Sequence, residues 1–154
     1  MNPEQRVKEL GLEIPPGSPP AGNYAVGVQS GNLLFLSGKA PTSHDGKVPK
    51  GRLGREYSSD QGYALARSAC IDLLSAMRKT LGSLDSVAQV VELHGSINCT
   101  PDFEDHARVL DGASDLLVEV FGASGIHARS VIGVNSLRNG VPLTVKAIVE
   151  VRPR

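Results

Sequence analysis

The sequence predicts an α+β domain in which one sheet is covered on a single face by two long helices. Two segments show a helical periodicity of apolar residues, one after Ser58 and one after Thr100. Short β-branched or alternating runs precede, separate and follow these segments. Because each helix has an apolar stripe that needs a sheet to bury it, the predicted order β-β-α-β-α-β-β gives a two-layer fold.

The length of the chain predicts one domain. Its 154 residues can bury a core without a metal ion or disulfide bonds to stabilise it. Residues 1–22 are predicted to form a short helix and a proline-rich connector, because Gly11 ends the helical pattern and four prolines follow between Ile14 and Asn23. Residues 23–154 then form the single α+β domain.

The first two strands are predicted to form a hairpin. The runs 24–29 and 33–37 flank Ser30-Gly31-Asn32, whose residues tolerate the positive φ of a tight turn. Residues 40–57, rich in glycine, proline and lysine, are predicted to form a loop.

Both long helices have start and stop signals. Ser58 and Gln61 match a capping box, and Gly82 ends the first helix. Thr100-Pro101 predicts the start of the second helix, and Gly122 ends it.

Three further strands are predicted at 87–97, 128–134 and 141–151. The first of them contains His94, for which we expect a structural role. The last two are separated by the tight-turn signal Arg138-Asn139-Gly140.

The strand 128–134 places an arginine among apolar residues. Alternation puts Ser130, Ile132 and Val134 on one face, which we expect to be the core face, and Arg129, Val131 and Gly133 on the other. A guanidinium matches a carboxylate in a bidentate geometry, so Arg129 is a candidate anion-binding residue. The alternative is that Arg129 only pairs with an acidic neighbour or covers the start of the strand.

Composition excludes several classes of protein. The 16 basic and 16 acidic residues cancel, and the chain has no Trp, three Phe and three Tyr, which disfavours a nucleic-acid partner. Cys70 and Cys99 lack metal-ligand spacing and are expected to be reduced, so neither a metal nor another cofactor is predicted. No apolar run reaches membrane-spanning length and no signal-peptide core is evident, so we expect a cytoplasmic protein without a membrane partner.

The segment Leu33-Leu34-Phe35-Leu36-Ser37-Gly38, the helix pair, the strand Ala128-Arg129-Ser130 and the closing strand together resemble the Rid (YjgF) family of reactive-intermediate deaminases, also called the endoribonuclease L-PSP family. The resemblance covers nearly all of residues 20–151. It implies a chorismate-mutase-like α+β fold, a homotrimer, and clefts between subunits that bind small carboxylate-bearing metabolites. It also implies hydrolysis of imines and enamines derived from amino acids, with release of ammonia and a 2-oxo acid.

The resemblance assigns roles to individual residues. It implies that Arg129 binds the substrate carboxylate, that Ser37 and Gly38 line the pocket, and that Tyr24 closes it. His127 stands where many family members have proline.

The chain also departs from the family in the pocket. Where the family has a Val-Glu-Val-Glu pattern, this chain has Leu143-Thr144-Val145-Lys146, so a hydroxyl and an amine replace two carboxylates. The second of those acids orients the attacking water in the family, and its position here is Lys146. Val131, a further pocket residue, stands where some members have cysteine.

Two principal functions therefore stay open. One is an imine hydrolase in which His127, Lys146, or an acid such as Asp111 or Glu119 of a neighbouring subunit acts as the base. The other is a non-catalytic trimer that binds a small carboxylate in the same clefts. Lys146 can also be an ordinary solvated strand lysine. An RNA-cleaving protein is the least favoured interpretation of the charge balance.

Overall fold

A computed structural model describes residues 1–17, 19–42 and 47–153, and it confirms the α+β fold and the order of its elements. The predicted loop 40–57 lies partly outside the described residues. The sheet order is β1-β2-β5-β3-β4, and all neighbouring strands are antiparallel except β3 and β4. The elements are α1 (Pro3–Glu9), β1 (Gly27–Ser30), β2 (Leu33–Leu36), α2 (Ser59–Leu81), β3 (Val87–Asn98), α3 (His106–Phe121), β4 (Ala128–Val134) and β5 (Leu143–Val151).

The first long helix begins and ends where the sequence predicts. The Ser58 side chain accepts a hydrogen bond from the Gln61 amide, and the Gln61 side chain accepts one from the Ser58 amide. Gly82 ends α2 in the left-handed conformation at φ 86°. Together, α2 and α3 cover one face of the sheet. The largest fully buried side chains there include Leu73, Leu74, Met77, Leu93, Ile97, Leu110, Leu116, Leu117 and Leu143.

The prediction for the start of the second long helix was wrong by several residues. Helix α3 begins at His106, with Asp105 as its N-cap, and not at Thr100-Pro101. The Thr100 amide donates to the Leu53 carbonyl at 3.0 Å, and the Phe103 amide donates to the Thr100 carbonyl at 3.1 Å. The loop before α2 therefore holds this segment as an extension of β3 and a turn, which delays the helix.

The predicted core face of β4 was also wrong. Ile132 is 51% exposed and Ser130 is exposed, whereas Val131 packs against the core. Both helices lie on the other side, the side of Arg129, whose partner in β3 is the fully buried Leu93. We call the uncovered side, which includes Ser130, Ile132, Thr144 and Lys146, the open sheet face.

The two predicted turns are present. Gly31 joins β1 to β2 at φ 64°, and Asn139 and Gly140 join β4 to β5 at φ 57° and 69°. Strand β1 is shorter than predicted, and residues 24–26 of the predicted run lie before its first residue, Gly27. Among the described residues, no helix combines the length and apolar character needed to cross a bilayer.

We predict that Gly112→Ala destabilises the protein by about 3 kcal/mol, although alanine normally favours a helix over glycine by about 1 kcal/mol. A Cβ at Gly112 would lie 2.0 Å from the Tyr63 carbonyl oxygen, because α2 and α3 approach each other there. Urea unfolding with an unchanged m-value measures the effect. A midpoint equal to that of the wild type would show that the helices can separate without cost.

Candidate functional site

A cavity of about 300 Å³ lies at the end of β2, and we call it the β2 cavity. Tyr24, Ser37, Gly38 and Thr144, four of the residues predicted to bind substrate, all line it. The rest of its wall comes from the proline-rich connector, the segment after β2, helix α2 and the turn before β5. Those further residues are Pro19, Pro20, Ala21, Val26, Lys39, Ala40, Pro41, Thr42, Val48, Asp72, Arg138, Asn139 and Val141.

Hydrogen bonds involving residues 21–26 hold the polar edge of the β2 cavity. The Ser37 hydroxyl donates to the Ala25 carbonyl at 2.7 Å, and the Ser37 amide donates to the Val26 carbonyl at 3.0 Å. The Tyr24 hydroxyl accepts from the Ala21 amide at 3.2 Å while its side chain stays 52% exposed. Gly38 leaves open space, since a Cβ at that position would meet nothing nearer than the Val145 carbonyl oxygen at 4.0 Å. A ligand can therefore approach the backbone at Gly38, just after β2, and contact the exposed side chain of Tyr24.

The cavity wall contains a buried ion pair that the sequence analysis missed. Lys39 Nζ lies 3.8 Å from Asp72 Oδ2, and the two side chains are only 9% and 7% exposed. Lys39 is held in place because its backbone pairs with Val145 through hydrogen bonds of 2.8 and 2.9 Å. A carboxylate in the apolar stripe of α2, between Ile71 and Leu73, was the available signal. The pair places both a cation and an anion beside any ligand in the cavity.

Arg129 lies outside the β2 cavity, on the edge strand β4. Its Nη1 donates to Asp111 Oδ1 at 2.7 Å and to Ser114 Oγ at 3.2 Å, and its Nη2 donates to the Ala107 carbonyl at 3.3 Å. The Arg129 and Asp111 side chains are 25% and 48% exposed. Arg129 therefore has the acidic neighbour that the sequence analysis kept as an alternative, yet the pair stays open to solvent.

His127 continues this network. Its Nδ1 lies 2.6 Å from the Gly125 carbonyl and its Nε2 lies 2.9 Å from Ser114 Oγ. Because a carbonyl only accepts, Nδ1 carries the proton, and Nε2 of a neutral ring accepts from the Ser114 hydroxyl. Hydrogen bonds thus run from Arg129 through Ser114 to His127, so both ring nitrogens already have partners within the chain.

Lys146 and Arg129 lie on opposite faces of the sheet within one chain. Lys146 is exposed on the open sheet face, where its register partner is His94, whereas Arg129 lies on the helix side. Residues that pair across two neighbouring strands point to the same face of the sheet. Lys146 therefore shares a face with His94, Arg129 shares the opposite face with Leu93, and the sheet separates the two cations. Val131 is half-buried on the side of Arg129.

Neither cysteine belongs to these groups. Cys70 is fully buried, and burial raises the pKa of its thiol to about 12. Among the described residues, no cluster of three His, Cys, Asp or Glu side chains could hold a metal ion.

The fold and the cavity define a class of small α+β proteins with a pocket at the end of an inner strand of the sheet. The family described as "YjgF/chorismate mutase-like, putative endoribonuclease" matches residues 4–149. Protein TCP17 of Trypanosoma cruzi is 39% identical over 94% of this chain and 91% of its own length. The chain therefore belongs to the YjgF/Rid family.

Two solved structures show the same architecture. A Shewanella oneidensis protein superposes with a TM-score of 0.93 at 32% identity, over 98% of this chain and 100% of that one. An Agrobacterium tumefaciens protein of unknown function superposes with a TM-score of 0.87 at 33% identity, over 98% and 92% of the two chains. The predicted chorismate-mutase-like fold is thus confirmed.

We predict that Asp72→Asn lowers the free energy of unfolding by about 3 kcal/mol, because it leaves a buried ammonium beside a neutral amide. Glu119→Gln is the matched control, since it breaks the Arg67–Glu119 pair whose side chains are 32% and 39% exposed. That exposed pair should contribute less than about 1 kcal/mol. Urea unfolding compares the two variants, and equal losses would show that burial adds nothing to the Lys39–Asp72 pair.

Proposed function

We propose that this protein hydrolyses 2-imino acids to ammonia and 2-oxo acids in clefts between copies of the chain. The observation that carries the proposal is the β2 cavity, because Tyr24, Ser37, Gly38 and Thr144 line it together. Family membership supports the reaction class. The β2 cavity supplies one half of the cleft, and Arg129 of a neighbouring copy supplies the other.

In this proposal, the substrate carboxylate binds Arg129. The guanidinium has five N–H donors, and three hydrogen bonds join it to Asp111, Ser114 and Ala107. The remaining N–H donors of the Arg129 guanidinium can therefore bind the carboxylate of a substrate that enters from solvent. Asp111 holds the fork in place by a 2.7 Å hydrogen bond, so its orientation is fixed before the substrate binds.

The Arg129–Asp111 pair also supplies a carboxylate, in place of the two family acids that Thr144 and Lys146 replace. Asp111 is a carboxylate next to the carboxylate-binding arginine, and its side chain is 48% exposed. It orients a water molecule onto the imine carbon and takes a proton from it. Asp111 passes this proton to the imine nitrogen, which gives a carbinolamine. When the carbinolamine hydroxyl proton moves to the same nitrogen, the C=O bond forms as the C–N bond breaks, and ammonia and the 2-oxo acid are released. Lys146 and His127 are the other candidate bases, and His127 would first have to leave Ser114 and Gly125.

A second candidate function is non-catalytic binding of a small carboxylate at the same place. The observation that favours it is the replacement of two family acids by Thr144 and Lys146, of which Lys146 lies on the open sheet face. Ribonuclease activity is not favoured, because the 16 basic residues are balanced by 16 acidic ones.

We predict that the wild type accelerates release of 2-oxobutanoate from the imine that a threonine dehydratase generates. Asp111→Asn should reduce this acceleration by about 100-fold, since a general base contributes roughly 10²–10⁴ in rate. Lys146→Gln should leave it unchanged. Asp115→Asn is the control, because it removes an exposed carboxylate from the same helix at a position with no proposed role in the reaction.

Three results would argue against this scheme in different ways. A wild type that gives no acceleration would reject the hydrolase and leave the binding function. Loss of rate in Lys146→Gln with full activity in Asp111→Asn would identify Lys146 as the base. Full activity in Arg129→Gln would reject the assigned carboxylate site.

The proposed cleft requires self-association, and the open sheet face supports it. Val28, Phe35 and Ile132 lie on this face and are 56%, 43% and 51% exposed. The helices cover only the opposite face, so these apolar side chains need another surface to bury them. We propose the homotrimer that the family resemblance implies.

We predict that Phe35→Asp converts the trimer into monomers, because the new carboxylate would be buried without a partner on the open sheet face. Ile126→Asp is the control, since Ile126 is 64% exposed but lies outside the strands. Sedimentation at micromolar concentration measures both variants. A monomeric wild type would contradict the assembly.

A further inference from the structure

Arg138 lies at the wall of the β2 cavity, and sequence analysis assigned it only to a turn. Its side chain has no hydrogen bond or ion pair with any residue in the described ranges, unlike Arg129 and Lys39. An arginine guanidinium stays charged at every physiological pH. Among the described residues of the lining, Arg138 is therefore the cation that is not already committed to a partner in the chain.

The charges of the β2 cavity lining also indicate that Arg138 is available to bind an anion. Within the described part of the chain, its charged residues are Lys39, Asp72 and Arg138, two cations and one anion. Lys39 and Asp72 form an ion pair with each other, so their charges largely cancel. The positive charge of Arg138 is left over, and it favours an anionic group at this end of the cavity.

The backbone holds Arg138 at this position. Asn139, at φ 57°, has the left-handed conformation, and no other non-glycine residue in the described ranges has a positive φ. The Gly140 amide donates to the Leu137 carbonyl at 3.0 Å, and the Gly51 amide donates to the Gly140 carbonyl at 2.9 Å. These bonds close the turn and tie it to the loop before α2, so the base of the Arg138 side chain is fixed beside the cavity.

We infer that Arg138 selects ligands with a second anionic group, so that the preferred ligands are dicarboxylic 2-imino and 2-oxo acids of four or five carbons. This inference rests on the proposed function, in which Arg129 of a neighbouring copy binds the first carboxylate. A cavity of about 300 Å³ suits a ligand of this size. Val26, Val141 and Pro41 provide apolar wall for the methylene groups between the two charged ends.

The test compares two ligands that share the 2-oxo acid head. Isothermal titration of the protein measures the dissociation constants of 2-oxoglutarate, a dicarboxylate, and 2-oxobutanoate, a monocarboxylate. We expect the wild type to bind 2-oxoglutarate at least about tenfold more tightly, as one charge-assisted hydrogen bond allows. Arg138→Gln should remove this preference and leave 2-oxobutanoate affinity unchanged, and Arg138→Lys should restore part of it.

Lys79→Gln is the matched control, because it removes one exposed positive charge outside the cavity lining. It should keep the preference for 2-oxoglutarate. Equal affinities for the two ligands in the wild type, a preference that survives in Arg138→Gln, or binding of neither ligand would each overturn the inference.

The dehydratase-coupled assay separates this inference from the proposed reaction. A protein that prefers 2-oxoglutarate through Arg138 but does not accelerate imine hydrolysis supports Arg138 as the selecting residue and rejects the hydrolase. A protein that hydrolyses the imine of 2-oxobutanoate but binds both 2-oxo acids equally overturns only the role of Arg138.

Discussion

Both long helices cover the same face of one sheet, and the positions of the candidate site residues depend on this constraint. Helices α2 and α3 can do so because Gly112 lets their backbones approach, with the Tyr63 carbonyl in the space of a missing Cβ. The helix face of β4 then places Arg129 against α3, within reach of Asp111. The other face of the sheet is left without cover, so Phe35, Ile132 and Lys146 remain exposed.

The charged residues of the candidate site include two separate ion pairs. Lys39–Asp72 is buried in the wall of the β2 cavity, whereas Arg129–Asp111 is exposed at the edge of the sheet. Burial makes the first pair costly to break, while the second can exchange a partner for a ligand in water. The difference suits a division of roles, in which the first pair shapes the pocket and the second meets the substrate.

Features that depend on neighbouring residues in the sequence were predicted correctly. The start of α3 and the buried face of β4, which depend on contacts between distant segments, were not. The capping box at Ser58, the end of α2 at Gly82 and the turn at Asn139 each depend on residues a few positions apart. The start of α3 was predicted wrongly because Leu53, distant in sequence, pairs with Cys99 and Thr100. The family resemblance assigned Tyr24, Ser37, Gly38 and Thr144 to a pocket, and these four residues line one cavity.

Periodicity was therefore enough to predict the two long helices, the five strands and their order, since these patterns follow from local backbone geometry. The capping signal was correct for α2 but not for the start of α3. Alternation in β4 established which residues share a face, but not which face is buried, because that depends on where the helices pack. The partners of Arg129 and Lys39 are 18 and 33 positions away in the chain, at Asp111 and Asp72, and only packing brings them together. The β2 cavity likewise combines segments from Pro19 to Thr144, so its shape and the place of Arg138 on its wall exist only in the folded chain.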